Sequence, residues 1–244
     1  MNHYFITGVS SGIGLALVKE LLSQGGELTI HGCSRRNPGI IDPRFHFYPI
    51  DLSDAMDLEK HAVDFFTVEP WHFSRVVLIN NAGMLGEVAF VGEQQAAHYI
   101  STFTVNALAP MIFSEVFINL FQHTEPEKII FNISSGAANK DIEGWAAYCA
   151  SKAALDRFTT VCRQEQTHQE RPIEVFGISP GVIDTAMQAE IRTASKEKFP
   201  ALDRFVALFQ EGELLPAEDA ARKIILLLNQ PDLRHTPLLS LRNI

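Results

Sequence analysis

Short apolar runs recur along this chain, and most are separated by stretches of helical periodicity. His3–Thr7, Leu28–Cys33, Phe45–Ile50, Arg75–Ile79, Lys128–Ser134 and Ile173–Ile178 each read as a strand. Ile13, Leu17, Val18 and Leu21 fall on one helical face, which predicts a helix over 13–24. Further helices are predicted over Ala55–Val68, 94–122, 146–168 and Ala217–Asn229, the last opened by Pro216. Val76-Val77-Leu78-Ile79 and Ile129-Ile130-Phe131 are apolar without alternation, as in strands covered on both faces. The pattern predicts one α/β domain over residues 1–244, doubly wound, with a central parallel sheet of about seven strands. Hydrophobic residues make up 46% and charged residues 20%, which excludes a disordered chain. Residues 184–215 break the alternation. They are helical and carry Met187, Phe199, Phe205 and Phe209, so they are either a substrate lid beside the sheet or a packed helical pair.

The net charge of −9, with 20 Lys+Arg against 29 Asp+Glu and no basic cluster longer than two, argues against a nucleic-acid binder. It leaves room for a local basic pocket. Cys33, Cys149 and Cys162 are widely spaced and form no CxxC pair, so neither a disulfide framework nor a cysteine zinc site is expected. The histidines form no HExxH or HxxxH pair, and no metal is expected. No secretory signal and no transmembrane run is visible, and a cytoplasmic protein with reduced thiols is the simple expectation.

Thr7-Gly8-Val9-Ser10-Ser11-Gly12-Ile13-Gly14 joins the first strand to the first helix. Its GxxxGxG spacing differs from GxGxxG, but the physics is shared. Glycines permit a tight turn and close backbone approach, and a helix N-terminus offers free N–H groups to a pyrophosphate. Ser10 and Ser11 add hydroxyls. The alternative is an ordinary glycine-rich turn. The second strand ends in Ser34-Arg35-Arg36, where a nucleotide site that prefers NAD carries an acid. Basic residues there suit a 2′-phosphate, and so NADP(H); the alternative is two solvated arginines. Asp51-Leu52 follows the third strand, where a carboxylate meets an adenine edge or, as the plainer reading, caps the next helix.

Tyr148 and Lys152 lie one helical turn apart. Free Tyr titrates near about 10, and a neighbouring ammonium is expected to lower that value and fit the phenol for proton exchange with a carbonyl. Ser134-Ser135 ends the fifth strand, at the carboxyl end where such sheets bind ligands; a hydroxyl there bonds a substrate oxygen or merely caps a turn. Asn106 precedes Pro110 by four residues, so its carbonyl loses its helical donor. That leaves it free to hold a relay water near Lys152, or marks a plain kink.

These motifs, taken in order, resemble the short-chain dehydrogenase/reductase family over nearly the whole chain: TGxxxGIG at 7–14, Asp51-Leu52, Asn80-Asn81-Ala82-Gly83, Asn106, Ser135, the YxxxK of Tyr148 and Lys152, and Pro180-Gly181 with Thr185. The resemblance implies a Rossmann domain and an oxidoreductase. Tyr148 would be the acid/base. Lys152 would lower its pKa and bind the nicotinamide ribose, Ser135 would orient the substrate carbonyl, and Asn106 would support the relay. Gly8, Ser10, Ser11, Gly12, Ile13, Gly14, Ser34, Arg35, Arg36, Asp51 and Leu52 would hold the cofactor. Asn81, Ala82 and Gly83 would meet its adenosine side, Ile183 and Thr185 would hold its carboxamide, and Pro180 and Gly181 would also contact it. The segments 134–138, 144–149 and 180–192 are similar to the benzil reductase and sepiapterin reductase branch, which implies an NADPH-dependent reductase of 1,2-dicarbonyl compounds. Met84, Leu85, Ala137, Trp145 and Met187 would wall the substrate pocket, or else are plain core. No acid follows Asp232, which disfavours a pterin substrate. A non-catalytic NADP(H) sensor is the contrasting expectation, and Tyr148 argues against it. Asn106–Phe121 and Leu155–Thr160 carry surplus apolar positions, and a homodimer through these helices is expected.

Overall fold

The computed structural model describes residues 1–67 and 73–244. In chain order the elements are β1 (Asn2–Thr7), α1 (Gly12–Gln24), β2 (Leu28–Ser34), β3 (Phe45–Pro49), α2 (Leu58–Phe66), β4 (Arg75–Asn80) and α3 (Ala96–Phe103). A π turn (Thr104–Leu108) leads into α4 (Ala109–Phe121), followed by β5 (Glu127–Ile133), α5 (Ala146–Gln166), β6 (Glu174–Ser179), β7 (Ile183–Asp184) and α6 (Ala186–Ile191). Then come α7 (Leu202–Gln210), β8 (Leu215–Pro216), α8 (Ala217–Asn229) and β9 (Leu238–Ser240). Seven strands form a parallel sheet in the order β3-β2-β1-β4-β5-β6-β9, and β7 pairs with β8 apart from it.

Alternate residues of each strand feed opposite faces. Tyr4, Ile6, Val77, Ile79 and Phe131 pack under α1 and α8. Phe5, Val76, Leu78, Ile130 and Val175 pack under α2, α4 and α5. The second face holds a run of rings, Phe5, Phe65, Phe66, Phe113, Phe117 and Phe121, all fully buried. The helix Ala96–Phe121 is, by length and composition, long and apolar enough to cross a membrane, and it is the sole such helix among the described residues. Half of its most apolar window is buried inside the fold, as in a core helix.

A polar ladder crosses the first three strands beside Phe5. The Nδ1 of His3 lies 3.2 Å from Nε2 of His31, and the Nδ1 of His31 lies 3.2 Å from the Tyr48 hydroxyl. The His31 ring stacks on Phe5 at 4.6 Å. Burial, with the neighbouring His3 and His46 charges, pulls the His31 pKa down to about 3.

Three sequence expectations are corrected here. Helix α2 starts at Leu58 rather than Ala55, with Asp57 at its N-cap position, so Asp51 does not cap it. Asp51 instead closes its own turn, accepting from the Ser53 amide at 3.0 Å and the Ser53 hydroxyl at 2.7 Å. The expected end of that helix at Val68 lies outside the described residues. Helix 94–122 is not continuous α-helix, because the missing Pro110 N–H coincides with a widened π turn at Thr104–Leu108.

Candidate functional site

Strand β1 is followed by β2 on one side of the sheet and β4 lies on the other, so their carboxyl ends diverge at a topological switch point. A cleft of about 760 Å³ opens there. Every site residue singled out from the sequence lines it except Gly14 and Asn106.

The glycine turn explains Gly14. A Cβ on it would stand 2.3 Å from the Gly8 carbonyl oxygen, so only glycine lets α1 start so close to β1. Gly8 adopts φ +76°, and a Cβ there would stand 2.9 Å from the Ala82 Cα. The turn is clamped from β4. The amides of Asn81 and Ala82 both donate to the Thr7 hydroxyl at 3.0 Å, and Asn81 Nδ2 donates to the Thr7 carbonyl at 2.9 Å. Asn80 braces the sheet beneath, donating to Asn132 Oδ1 at 2.9 Å. Ser11 is extended at φ −165°, and its side chain makes no cap bond to α1. Backbone N–H groups and the hydroxyls of Ser10 and Ser11 therefore face the cleft edge as a cradle fit for a pyrophosphate. Arg35 and Arg36 are exposed and line the far end. Burial raises the Asp51 carboxyl, but the Ser53 bonds and the Arg35 charge outweigh it and hold its pKa below the usual range.

Tyr148 and Lys152 share the buried face of α5 because they are one turn apart. The Lys152 Nζ donates to the Ile133 carbonyl at 2.8 Å, which ties α5 to the end of β5. Ser135 follows that strand end, and its hydroxyl accepts from the Ala137 amide at 3.1 Å. Burial raises the Tyr148 pKa, and the Ser135 hydroxyl pulls only part of it back. The expected lowering by Lys152 is thus corrected: desolvation of the phenol dominates. Burial brings Lys152 down to about 8, opposed by the Asp156 carboxylate one turn further along α5. Burial raises the Asp156 pKa, and the neighbouring Ser134 hydroxyl and Lys152 charge pull part of that rise back.

Asn106 stands behind the cleft. Its Oδ1 accepts from the Met84 amide at 2.9 Å, and its Nδ2 donates to the Met84 carbonyl at 2.8 Å and to Ser151 Oγ at 3.1 Å. The side chain therefore fixes the loop after β4 against α5.

The apolar wall forms a third cluster of Leu85, Ala137, Trp145, Tyr148, Ile191, Phe199 and Phe205. The Trp145 ring stacks on Phe199 at 5.0 Å and meets Tyr148 edge-on at 5.6 Å. Gly144 takes φ +81°, and a Cβ there would stand 2.4 Å from the Lys198 carbonyl oxygen, so glycine is required on both counts. Residues 184–215 are thus packed onto the residue before the tyrosine helix, and Met187 lines the cleft with them. Phe205 of the expected lid does line the cleft, while sequence reasoning missed Lys140, Ile142, Arg204 and Arg242 as cleft residues. No local motif marks them, since only the fold brings these distant segments together.

Among the described residues no group of His, Cys, Asp and Glu could hold a metal ion. The three cysteines are free.

Residues 2–196 match the family model for short chain dehydrogenases. The chain is 35% identical over 232 residues to the benzil reductase ((S)-benzoin forming) of Bacillus cereus, covering 92% of each protein. It is 33% identical over 165 residues to the sepiapterin reductase of Rattus norvegicus, covering 66% of this chain and 61% of that one. A crystal structure of a short chain dehydrogenase/reductase from Saccharomyces cerevisiae superposes with a TM-score of 0.81 at 25% identity, over 99% of this chain and 96% of that one.

Proposed function

The chain belongs to the short chain dehydrogenase family, nicotinamide-dependent oxidoreductases of carbonyl and CH–OH groups, and we propose that it is an NADPH-dependent reductase of 1,2-dicarbonyl compounds such as benzil. The observation that carries this reading is the buried Tyr148–Lys152 pair beside Ser135, on the floor of a cleft whose other end is a glycine cradle.

When bound, the cofactor supplies the hydride. Gly8, Ser10, Ser11, Gly12 and Ile13 would hold its pyrophosphate, with Gly14 buried behind them to close the turn. Ser34, Arg35 and Arg36 would receive the 2′-phosphate end, Asp51 and Leu52 the adenine, and Asn81, Ala82 and Gly83 the adjoining ribose. Pro180, Gly181, Ile183 and Thr185 would meet the nicotinamide side. The Ser135 hydroxyl donates a hydrogen bond to the substrate carbonyl oxygen and orients it. The Tyr148 hydroxyl donates its proton to that oxygen. A phenol held above its usual pKa is fully protonated at neutral pH, as a donor must be. The Lys152 ammonium stabilises the phenolate left behind. Asn106 holds the Met84 loop in place, and its backbone carbonyl is the relay position.

Met84, Leu85, Ala137, Trp145 and Met187 give the substrate an apolar wall suited to an aryl or alkyl diketone. Residues 184–215 serve as its lid. Leu108, Leu120 and Val161 stay between 39% and 46% exposed on α4, α5 and the π turn, which supports a homodimer through these helices. A monomeric mass at micromolar concentration rejects the dimer. The free thiols suit a reducing, cytoplasmic setting.

The test follows absorbance of NADPH with benzil, with NADH and sepiapterin as comparisons. Rapid loss with NADPH and benzil supports the reading. Tyr148→Phe should abolish turnover and keep cofactor binding. Unchanged turnover in that variant refutes the assigned proton donor, whereas NADPH binding by the wild type without turnover of either substrate favours cofactor sensing.

A further inference from the structure

The protein as a whole is acidic, with 20 Lys+Arg against 29 Asp+Glu. The cleft is not. Among the described residues, six Lys and Arg side chains line it against two carboxylates, Asp51 and Glu190. The reading above assigns Arg35, Arg36 and Lys152 to the cofactor. Lys140, Arg204 and Arg242 remain without a task.

Their surroundings set these three apart from nearby cations. In the 184–215 segment, Lys196 pairs with Asp203 and Lys198 with Glu93. Arg192 covers the Phe209 ring at 3.8 Å and bonds Gln188. Lys140, Arg204 and Arg242 make no ion pair among the described residues, although each reaches the cleft. They come from three separate places in the chain: the turn after β5, the helix α7, and the residues after β9. Arg204 directly precedes Phe205, which packs on Trp145 with ring centres 5.2 Å apart. The Arg242 Nε lies 3.4 Å from where a Cβ on Gly181 would stand, against the turn that closes β6. All three are solvent-exposed along the rim of one concave cleft, and unpaired cations there raise the local concentration of anions.

We propose that the substrate carries an anionic group, carboxylate or phosphate, besides its reacting carbonyl, and that Lys140, Arg204 and Arg242 receive it. This deepens the carbonyl-reductase reading and rests on it. The apolar wall takes the body of the molecule and the cationic side takes its charge. A 2-oxo acid, a 1,2-dicarbonyl whose second carbonyl is a carboxylate, is the smallest substrate of this class.

Calorimetry on the protein saturated with NADPH, so that the cofactor's own phosphate sites are filled, compares benzoate and phenyl phosphate with neutral benzamide. At least one anion should bind about tenfold tighter than benzamide at low salt, and the difference should shrink with added salt. Arg204→Gln and Arg242→Gln should each erode that preference, and the triple variant with Lys140→Gln should abolish it while benzamide binding persists. Equal binding of all three probes overturns the proposal, as does a preference that survives the triple substitution. In parallel, kcat/KM is measured for benzoylformate, its methyl ester and benzil. Benzil turnover with no advantage of the acid over the ester in the wild type overturns the anionic-substrate proposal and leaves the reductase reading standing. Anion binding lost in the triple variant, with no reduction of any of the three, keeps the anion site and removes the 1,2-dicarbonyl reading.

Discussion

Replacing His31 by Gln should flatten the acid side of the stability profile. His31 is 4% exposed and bonded on both ring nitrogens, to His3 and Tyr48. Its pKa falls from 6.5 to about 3 in the folded protein. The unfolded chain therefore binds a proton that the folded chain refuses across that window. The stability from neutral His31 is fully present above pH 6.5 and is lost progressively as pH falls towards 3. At about 1.36 kcal/mol per pH unit, a drop from pH 7.5 to 5.0 costs about 2 kcal/mol from this one ring. That equals a fall in Tm of about 4–8 °C for a domain of this size. His31→Gln loses the stack on Phe5 and is less stable at every pH. It should nevertheless lose about 2 kcal/mol less than the wild type between the two pH values. Urea denaturation at pH 7.5 and 5.0 measures both differences. Equal losses in the two proteins would refute the argument that desolvation of His31 controls this limb.

Other substitutions test the site. Gly14→Ala puts a methyl onto the Gly8 carbonyl oxygen, so it should cost about 1–3 kcal/mol of stability and weaken cofactor binding, read by thermal melts with and without NADPH. Arg35→Ser combined with Arg36→Ser should reduce NADPH affinity about tenfold or more and leave NADH affinity nearly unchanged, as measured by fluorescence titration. Asp156→Asn removes the one carboxylate that opposes the burial of Lys152, so the Lys152 pKa should fall further below about 8 and the alkaline limb of the kcat/KM profile should move to lower pH. A uniform loss of activity without that movement would make Asp156 merely structural.

The sequence carries the sheet plainly because its strands are apolar on both faces, and α8 falls on Ala217–Asn229 as expected because Pro216 and its periodicity bracket it. Strand β9 escapes notice, since three residues, Leu238–Ser240, show no period. The start of α2 is misread because Asp51 and Asp54 favour turns before Asp57, and each can mimic a cap. The glycine turn and Tyr148 with Lys152 are visible because local spacing alone brings them together. The titration of Tyr148 is not, since desolvation depends on what the rest of the chain stacks over the ring, including Trp145. Lys140, Arg204 and Arg242 are invisible for the same reason: no local spacing relates them.

The strand order has a consequence for how the molecule is assembled during synthesis. β1 lies inside the sheet, and β2 and β3 extend it in one direction with the residues made first. β4, β5, β6 and β9 then join the other edge one after another, in the order in which they leave the ribosome. Each of these additions is parallel and therefore needs a long crossover, so the growing edge stays open between steps. The glycine turn can form once β4 docks against β1. The cationic side of the cleft cannot be complete until β9 pairs with β6 and brings Arg242 against Gly181. A nascent chain stalled before β9 would thus hold a cofactor cradle with an unfinished substrate side.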